Sequence, residues 1–322
     1  LRDAIKEYTA DVVRLFLMAS AEPWQDFDWR EKEVRGTQRR LEWFRSFASR
    51  VEEIKGSKLD LSNIEDVELE RSIDKWMISQ LNLHIKEATE ALEVFQTRQA
   101  LQHALFLLKK DVDHYTYRIK PLIDKQDPAV IYVLSTVLDS WIRLLAPFTP
   151  HTCEELWSTY GGEGFASEAS WPKYDESLID SEIEASEDLV QNIVKDIKEI
   201  KNIVDKESEK VHIYLAPEWK WELYRIADEV GKPDVGQIIG RSIKANILDD
   251  KKEIANAAKK AAREITKTKY IGKIDEASIL EDAKDFIEDE IASELVIHTD
   301  DSYDPQNKAR NAMPYKPAIF ME

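Results

Sequence analysis

The chain of 322 residues, 43% of them hydrophobic, is long enough to form two domains with separate cores. Its net charge of -18 argues against long-range attraction to nucleic acid, and the lack of a run of about 20 apolar residues argues for a cytoplasmic protein without a membrane span. A single cysteine, Cys153, excludes an intrachain disulfide and a zinc site built from several cysteines.

Helical spacing of apolar residues predicts an antiparallel helical bundle in the first half of the chain. We expect helices over residues 1–19, 29–54, 66–93, 97–120 and 128–145, and a loop over 56–63. Asp28, three residues before Glu31, suggests a capping box for the second helix. Asp127 should cap the fifth helix, which Pro128 opens. Thr9 is expected to lie inside the first helix.

The second predicted helix carries five arginines between its apolar residues. Arg39 and Arg40 are the two that we select as candidate contacts for nucleic-acid phosphates. A helix whose polar face is simply hydrated would show the same pattern, so this prediction competes with a structural explanation.

Residues 141–157 predict a tight corner between two helices. Pro147 ends the first of them, Thr149 can cap the second, and Pro150 suits its first turn. Apolar side chains that include Trp141 and Trp157 should be buried there and form much of the core.

The second half of the chain changes its periodicity and predicts a small α/β domain. After a flexible loop over 161–170 and an extended segment over 171–175 that lies across the bundle, we expect a long helix over 182–204. Alternating residues over 211–216 predict a strand, and a second strand is expected over 295–298 and a third near 317–321. Helices are predicted over 217–225, 233–245, 251–268 and 276–292. The predicted domains are therefore residues 1–180 and 181–322.

The helix over 251–268 is the most basic part of the chain. Between residues 237 and 274 there are ten Lys and Arg against four Asp and Glu. The spacing places Ile254, Ala258, Ala261 and Ile265 inward and leaves the cations outward as candidate phosphate contacts: Lys252, Lys259, Lys260, Arg263 and Lys267. A solvated surface helix is the competing explanation. The tail adds Lys308 and Arg310, which either follow a nucleic-acid backbone or belong to a docked or disordered segment.

Three other groups of residues invite a catalytic or metal-binding interpretation, and we expect none of them to have that role. His151, Cys153 and Glu154 do not have the spacing of a known metal site. Asp111 and Asp113 should point to different sides of a helix. The glycines at 161–164 lack the Lys-Ser or Lys-Thr that completes a phosphate loop.

Several segments resemble class I aminoacyl-tRNA synthetases. The corner run LAPFTPHTCEELW at residues 145–157 resembles the junction of the last two helices in the tRNA-binding bundle of the leucyl, isoleucyl, valyl and methionyl enzymes. Residues 1–14 resemble the segment that follows the Lys-Met-Ser-Lys-Ser signature. Residues 26–29, 308–311 and 316–319 resemble leucyl enzymes of the archaeal and eukaryotic cytosolic type. Thr9 departs from the glycine that is usual there, and neither catalytic signature of the family occurs in the chain.

This resemblance implies that the chain is a C-terminal portion of a leucyl-tRNA synthetase. The whole enzyme would join leucine to tRNA-Leu with ATP and Mg²⁺, and this portion, which needs no cofactor of its own, would be inactive alone. It would bind tRNA-Leu through the long variable arm and act as a monomer beside its own N-terminal catalytic domain. Two alternatives stay open: the equivalent portion of an isoleucyl, valyl or methionyl enzyme, and a helical scaffold for protein partners.

Overall fold

The structure is a computed structural model that describes residues 2–56, 67–123, 125, 127–204, 208–264, 266, 270–299 and 303–322. The chain divides into two compact units, Leu1–Asp180 (unit 1) and Ser181–Glu322 (unit 2), and each is described by itself. The loop predicted over 56–63 and the start of the helix predicted at 66 lie largely outside the described residues.

Unit 1 is a helical bundle, as predicted. Its core is formed by large side chains on several helices, among them Phe16, Phe44, Met77, Leu105 and Trp141. The helices, in the part of the chain that the structure describes, are α1 (Arg2–Glu7), α2 (Ala10–Ser20), α3 (Glu31–Lys55), α4 (Ser72–Glu93), α5 (Thr97–Leu101), α6 (Leu108–Arg118), α7 (Lys120–Ile123), α8 (Pro128–Leu145) and α9 (Pro150–Thr159).

The first predicted helix is wrong in one respect, because it breaks at Thr9. This residue has an extended backbone (φ -69°, ψ 158°) and is the N-cap of α2. Its hydroxyl accepts a hydrogen bond from the backbone N–H of Val12 at 3.3 Å. A threonine side chain competes well for orphan N–H groups, and here it starts a new helix instead of continuing the old one.

The capping box predicted at Asp28 is also wrong. Helix α3 begins later, with Arg30 at its N-cap position and no side-chain cap. Asp28 instead forms an ion pair with Arg30, whose Nε lies 3.0 Å from Oδ2. By contrast, the cap predicted at Asp127 is confirmed, since its carboxylate accepts from the N–H groups of Ala129 and Val130.

The helix predicted over 97–120 is interrupted by a π-helical segment, Gln102–Leu107, between α5 and α6. A π turn accommodates an extra residue and displaces the usual backbone hydrogen bonds. Within this segment the carbonyl of Ala104 accepts a 2.7 Å hydrogen bond from Trp141 Nε1 of α8. The widened turn thereby gives a fully buried indole N–H a backbone acceptor.

Helices α8 and α9 form the predicted corner, with Thr149 at the N-cap position and Pro150 in the first turn. The Thr149 side chain does not cap α9, and its hydroxyl bonds to the carbonyl of Leu145 at 3.3 Å. The cap comes from the buried Asp11 of α2. Its carboxylate accepts from the N–H and the hydroxyl of Thr152, at 2.6 and 2.7 Å.

The Asp11 carboxylate also lies 2.9 Å from Nδ1 of His151. Burial raises the pKa of Asp11, but the hydrogen bonds from His151 and Thr152 outweigh burial and hold this pKa below its usual value. The carboxylate of Asp11 in α2 thus fixes the start of α9, the last helix of the bundle.

Trp157, which we predicted to be buried, is only half-buried. Its Nε1 donates to the carbonyl of Glu163 at 3.2 Å, so the ring closes over the turn that follows α9. That turn is not the free loop that we predicted. The carboxylate of Glu154 accepts from the N–H groups of Ala166 and Ser167, at 2.8 and 2.9 Å.

Gly162 lies directly under the Trp157 ring, where a Cβ atom would be 2.2 Å from Cε2. We expect Gly162→Ala to lower the free energy of unfolding by about 1–3 kcal/mol, because ring or backbone must move. Urea unfolding of Gly162→Ala, Trp157→Ala and the double variant checks this prediction. Since the clash needs both groups, the double variant should lose less stability than the sum of the two single variants. Additive losses would contradict the clash.

The extended segment after residue 170 crosses the bundle, as predicted. Trp171 Nε1 donates to the hydroxyl of Thr89 at 2.8 Å. The N–H of Asp175 donates to the side-chain oxygen of Asn82, also at 2.8 Å. These bonds satisfy polar groups of α4 and tie the end of unit 1 to its core.

Among the described residues one helix, α8, is long and apolar enough to pass for a membrane span, with a mean hydropathy of 1.4. Of this helix, 61% is buried inside the protein, and it carries Trp141 and much of the bundle core. Its composition is therefore that of a core helix.

Unit 2 is the small α/β unit that the sequence predicts. Its three strands are β1 (Lys210–Tyr214), β2 (Glu294–His298) and β3 (Ala318–Met321), in the order β2-β1-β3. Strand β1 is parallel to β2 and antiparallel to β3. The helices in the described residues are α10 (Ser181–Val204), α11 (Glu218–Val230), α12 (Val235–Lys244), α13 (Lys251–Glu264), α14 (Glu276–Asp282) and α15 (Lys284–Ile291).

Two helix predictions in unit 2 need correction. Helix α11 runs beyond the predicted end at residue 225 and stops at Gly231, whose φ of 65° closes the helix in the left-handed region. The helix predicted over 276–292 is two helices, which separate at Ala283. Ala283 is itself buried and packs in the same core as Leu280 and Ile287.

Candidate nucleic-acid interface

Helix α13 packs through a row of small residues, as predicted. Ile254, Ala258 and Ala261 are fully buried, whereas Ile265 lies outside the described residues. They contact buried side chains of α11 and α12, so the helix lies close to both. The Asp250 carboxylate accepts from the N–H of Lys252 at 2.8 Å and caps the helix.

The opposite face of α13 presents its cations to solvent. Lys252, Lys259, Lys260 and Arg263 are all exposed. None of the four forms an ion pair with another described residue, so no carboxylate in the described part of unit 2 pairs with these charges. The fifth predicted cation, Lys267, lies outside the described residues. Charges of this kind are available to phosphates.

The C-terminal tail is docked on the same helix. Lys260 Nζ lies 3.2 Å from the side-chain oxygen of Asn311, and Met313 packs in the core formed with the alanines of α13. The structure therefore brings Arg310, which is exposed, into the neighbourhood of the α13 cations. Lys308 is half-buried, and its backbone N–H donates to Asp304 at 2.7 Å.

The tail is held by Lys220 of α11, a residue that the sequence analysis missed. Its side chain is 2% exposed, and Nζ donates to the carbonyls of Arg310 and Ala312, at 2.8 and 2.7 Å. Burial lowers the pKa of Lys220 to about 8. A signal was present, because Lys220 lies on the same helical face as Leu223, Tyr224 and Ala227, and that face is otherwise apolar.

Helix α12 adds Arg241 and Lys244, both exposed in its last turn. We did not select them individually, although the sequence placed them in the basic stretch. The exposed cations therefore lie on α12, α13 and the tail, and these elements of unit 2 pack around one core. We call this set the basic surface: Arg241, Lys244, Lys252, Lys259, Lys260, Arg263 and Arg310.

The arginines of α3 in unit 1 differ from the cations of the basic surface, because several of them have partners within the unit. Arg39 is exposed, while Arg40 is half-buried and lies over the ring of Phe106, with Cζ 4.9 Å from the ring centroid. Two of the others are engaged internally: Arg35 pairs with Glu31, and Arg45 pairs with Glu155. Three of the five arginines of this row, Arg35, Arg40 and Arg45, are therefore engaged within the bundle.

The candidate metal and acid-base residues have structural partners. Asp111 bonds to His84, at 2.7 Å from Nε2, whereas Asp113 pairs with Lys109, so the two carboxylates point to different places. Burial raises the pKa of the Cys153 thiol to about 12. Among the described residues no group of three or more His, Cys, Asp and Glu side chains is arranged to hold a metal ion.

Comparison with known proteins gives two consistent results. A family model for the anticodon-binding domain of tRNA ligase matches residues 74–215. Leucine–tRNA ligases from Methanothermobacter thermautotrophicus and Pyrococcus abyssi are 52% and 40% identical to the chain, over 100% and 99% of its length. The chain is homologous to the C-terminal portion of leucyl-tRNA synthetases. It spans about a third of these two relatives, 34% and 32% of their lengths.

The leucyl-tRNA synthetase homology agrees with the resemblance carried by the corner run and by residues 26–29. It also sets aside the isoleucyl, valyl and methionyl alternatives, because the identity to leucine–tRNA ligases extends over the whole chain. A solved LeuRS from Agrobacterium radiobacter, in a ternary complex with tRNA, matches 56% of this chain and 21% of its own. It is 24% identical with a TM-score of 0.46, and likeness at this level supports no structural conclusion.

Proposed function

We propose that this chain is the tRNA-binding portion of a leucyl-tRNA synthetase of archaeal type. The whole enzyme joins leucine to tRNA-Leu, and this portion holds the tRNA and positions it for the reaction. Unit 1 is the bundle of the anticodon-binding type, and unit 2 is a second RNA-binding domain directed at the long variable arm. We place ATP and Mg²⁺ in the catalytic part of the enzyme, which acts in the cytoplasm as a monomer.

The observation that supports this proposal most directly is the basic surface of unit 2. The protein as a whole is strongly acidic, yet α13 presents a row of cations that its own carboxylates do not neutralise. Solvent screens exposed charges over about 8 Å at physiological salt, so this local excess governs contact with a phosphate backbone. Phosphate contacts fix the register of an RNA, and its shape supplies selection.

The predicted contacts in unit 1 carry less weight. Arg39 is the arginine of α3 best placed for a phosphate, because it is exposed and forms no ion pair with another described residue. Arg40 can contact RNA only with the part of its guanidinium that Phe106 leaves open. We therefore expect unit 2 to contribute most of the salt-dependent affinity.

Neutralising Lys259, Lys260 and Arg263 together, each to Gln, tests the proposal. We expect tRNA-Leu affinity to fall at least ten-fold at low salt, and the slope of log affinity against log salt to decrease by about 0.9 per lost contact. The measurement is a fluorescence titration of labelled tRNA-Leu at several salt concentrations.

The matched control removes the same three charges from ion-paired positions of unit 2. Lys210, Arg225 and Lys273 pair with Glu294, Glu222 and Glu218. Their replacement by Gln changes the net charge equally, so an effect of charge alone would appear in both variants. An unchanged salt slope in the first variant would show that α13 is an ordinary hydrated surface.

A further inference from the structure

Unit 1 exposes four large apolar side chains on two chain segments. Trp24 and Phe27, in the loop between α2 and α3, are 63% and 52% exposed. Val94 and Phe95, at the junction of α4 and α5, are 59% and 74% exposed. We call these four residues the aromatic patch. Single exposed apolar residues are common, but a group of large ones marks an interaction surface.

The two segments of the patch are tied together by Glu22. Its carboxylate accepts hydrogen bonds from the N–H groups of Arg98 and Gln99, each at 3.1 Å, and so caps the start of α5. This holds the loop with Trp24 against the junction that carries Phe95. Trp29 anchors the same loop, because its ring meets Phe16 of the core edge-on at 5.1 Å.

Phe95 adopts a backbone conformation that favours glycine. Its φ is 60°, and the N–H of the next residue bonds back to the carbonyl of Ala91 at 2.8 Å, which closes α4. A glycine would adopt this conformation at lower cost than a bulky residue. The aromatic ring is 74% exposed, so the described part of unit 1 covers little of it, and a partner surface outside the unit could pack against the rest.

Charge favours a protein over an RNA as that ligand. Four acidic residues lie within two sequence positions of the patch residues, namely Glu22, Asp26, Asp28 and Glu93, and one exposed cation, Arg98, lies three positions after Phe95. Arg30, a cation of the loop, is occupied by Asp28 and Glu33. Phosphates would be repelled by such a rim, whereas an apolar protein surface with basic edges would complement it. The basic surface of unit 2, by contrast, has the charge that RNA requires.

We propose that the aromatic patch is the surface on which the remaining part of the synthetase polypeptide docks. The homologous leucine–tRNA ligases are about three times as long as this chain, which spans 34% of the first, so most of such an enzyme lies outside the two units. This inference rests on the proposed function. The patch then holds the bundle in register with the catalytic part, while the basic surface holds the RNA.

Hydroxyl-radical footprinting of the full-length enzyme, without tRNA, tests the docking. Each side chain's oxidation rate is divided by its rate in the denatured protein. We expect Trp24 and Phe95 to be protected about ten-fold, as in the core of an interface. Phe165, which is 61% exposed elsewhere in unit 1, is the control. Free oxidation of Trp24 and Phe95 would overturn the proposal, as would protection that appears only when tRNA is added.

A double variant of the full-length enzyme, Trp24→Ser with Phe95→Ser, separates this proposal from the proposed function. We expect aminoacylation to fall about ten-fold, because the tRNA is misplaced, while tRNA affinity and leucine-dependent pyrophosphate exchange stay unchanged. Phe165→Ser should alter none of the three. A loss of tRNA affinity in the double variant would assign the patch to RNA, and unaltered aminoacylation would also refute the docking. Failure of the α13 variant to lose affinity would instead refute the proposed function.

Discussion

Trp141→Ala is expected to lower the free energy of unfolding of unit 1 by about 3–5 kcal/mol, the usual cost of truncating a buried tryptophan. The ring is fully buried and lies 5.1 Å from Phe44 and 5.5 Å from Phe47, centroid to centroid. Its removal leaves a large cavity among aromatic rings. It also leaves the carbonyl of Ala104 without the indole donor, which adds to the loss.

Differential scanning calorimetry measures this effect as a fall in the melting temperature of unit 1 by about 2–4 °C per kcal/mol. Trp157→Ala is the matched control, because the same side chain at the same corner is half-buried and should cost clearly less. Trp141→Phe keeps most of the packing and removes the indole N–H, so its loss reports the hydrogen bond. Equal losses in the two alanine variants would show that Trp141 does not anchor the core.

The residues that could be predicted from the sequence are those whose role follows from local spacing. The alanine row of α13 and its outward cations follow from helical periodicity alone, and the structure buries and exposes them as expected. The same holds for the core positions of α4, such as Trp76 and Met77. In these cases the helix geometry fixes which side chains share a face, whatever the partner is.

What could not be predicted depends on contacts between residues far apart in the chain. Asp11 caps a helix that begins about 140 residues later. The π turn at Ala104 places a carbonyl near an indole of another helix. In each case a distant polar group outweighs a small local preference, and the sequence pattern contains no record of that partner.

Lys220 is the missed residue with the largest consequence, because its buried charge couples pH to the docking of the tail. Burial holds its pKa at about 8 against an ordinary value of 10.5. The unfolded chain therefore binds more protons than the folded protein between these two pH values. The free energy of unfolding should therefore rise as pH increases from about 8 to 10.5. Below pH 8 Lys220 is charged in both the folded and the unfolded state, and the full cost of burying the charge lowers the stability.

Lys220→Met removes both the charge and the two hydrogen bonds to the carbonyls of Arg310 and Ala312. We expect the difference in unfolding free energy between the variant and the wild type to change by up to about 3 kcal/mol between pH 7.5 and 10.5, since each pKa unit corresponds to about 1.4 kcal/mol. The variant should gain relative to the wild type at the lower pH. Urea unfolding at several pH values measures this difference.

The same variant should bind tRNA-Leu more weakly at pH 7.5, because the tail with Arg310 is no longer held beside α13. Lys284→Met is the control, since Lys284 is a lysine of unit 2 on α15 that pairs with Glu281 at 3.8 Å. It should leave both the pH dependence and the affinity unchanged. A pH-independent stability difference for Lys220→Met would mean that the pKa of Lys220 is the same in the folded and the unfolded protein. Unaltered affinity would mean that the tail does not help to form the basic surface.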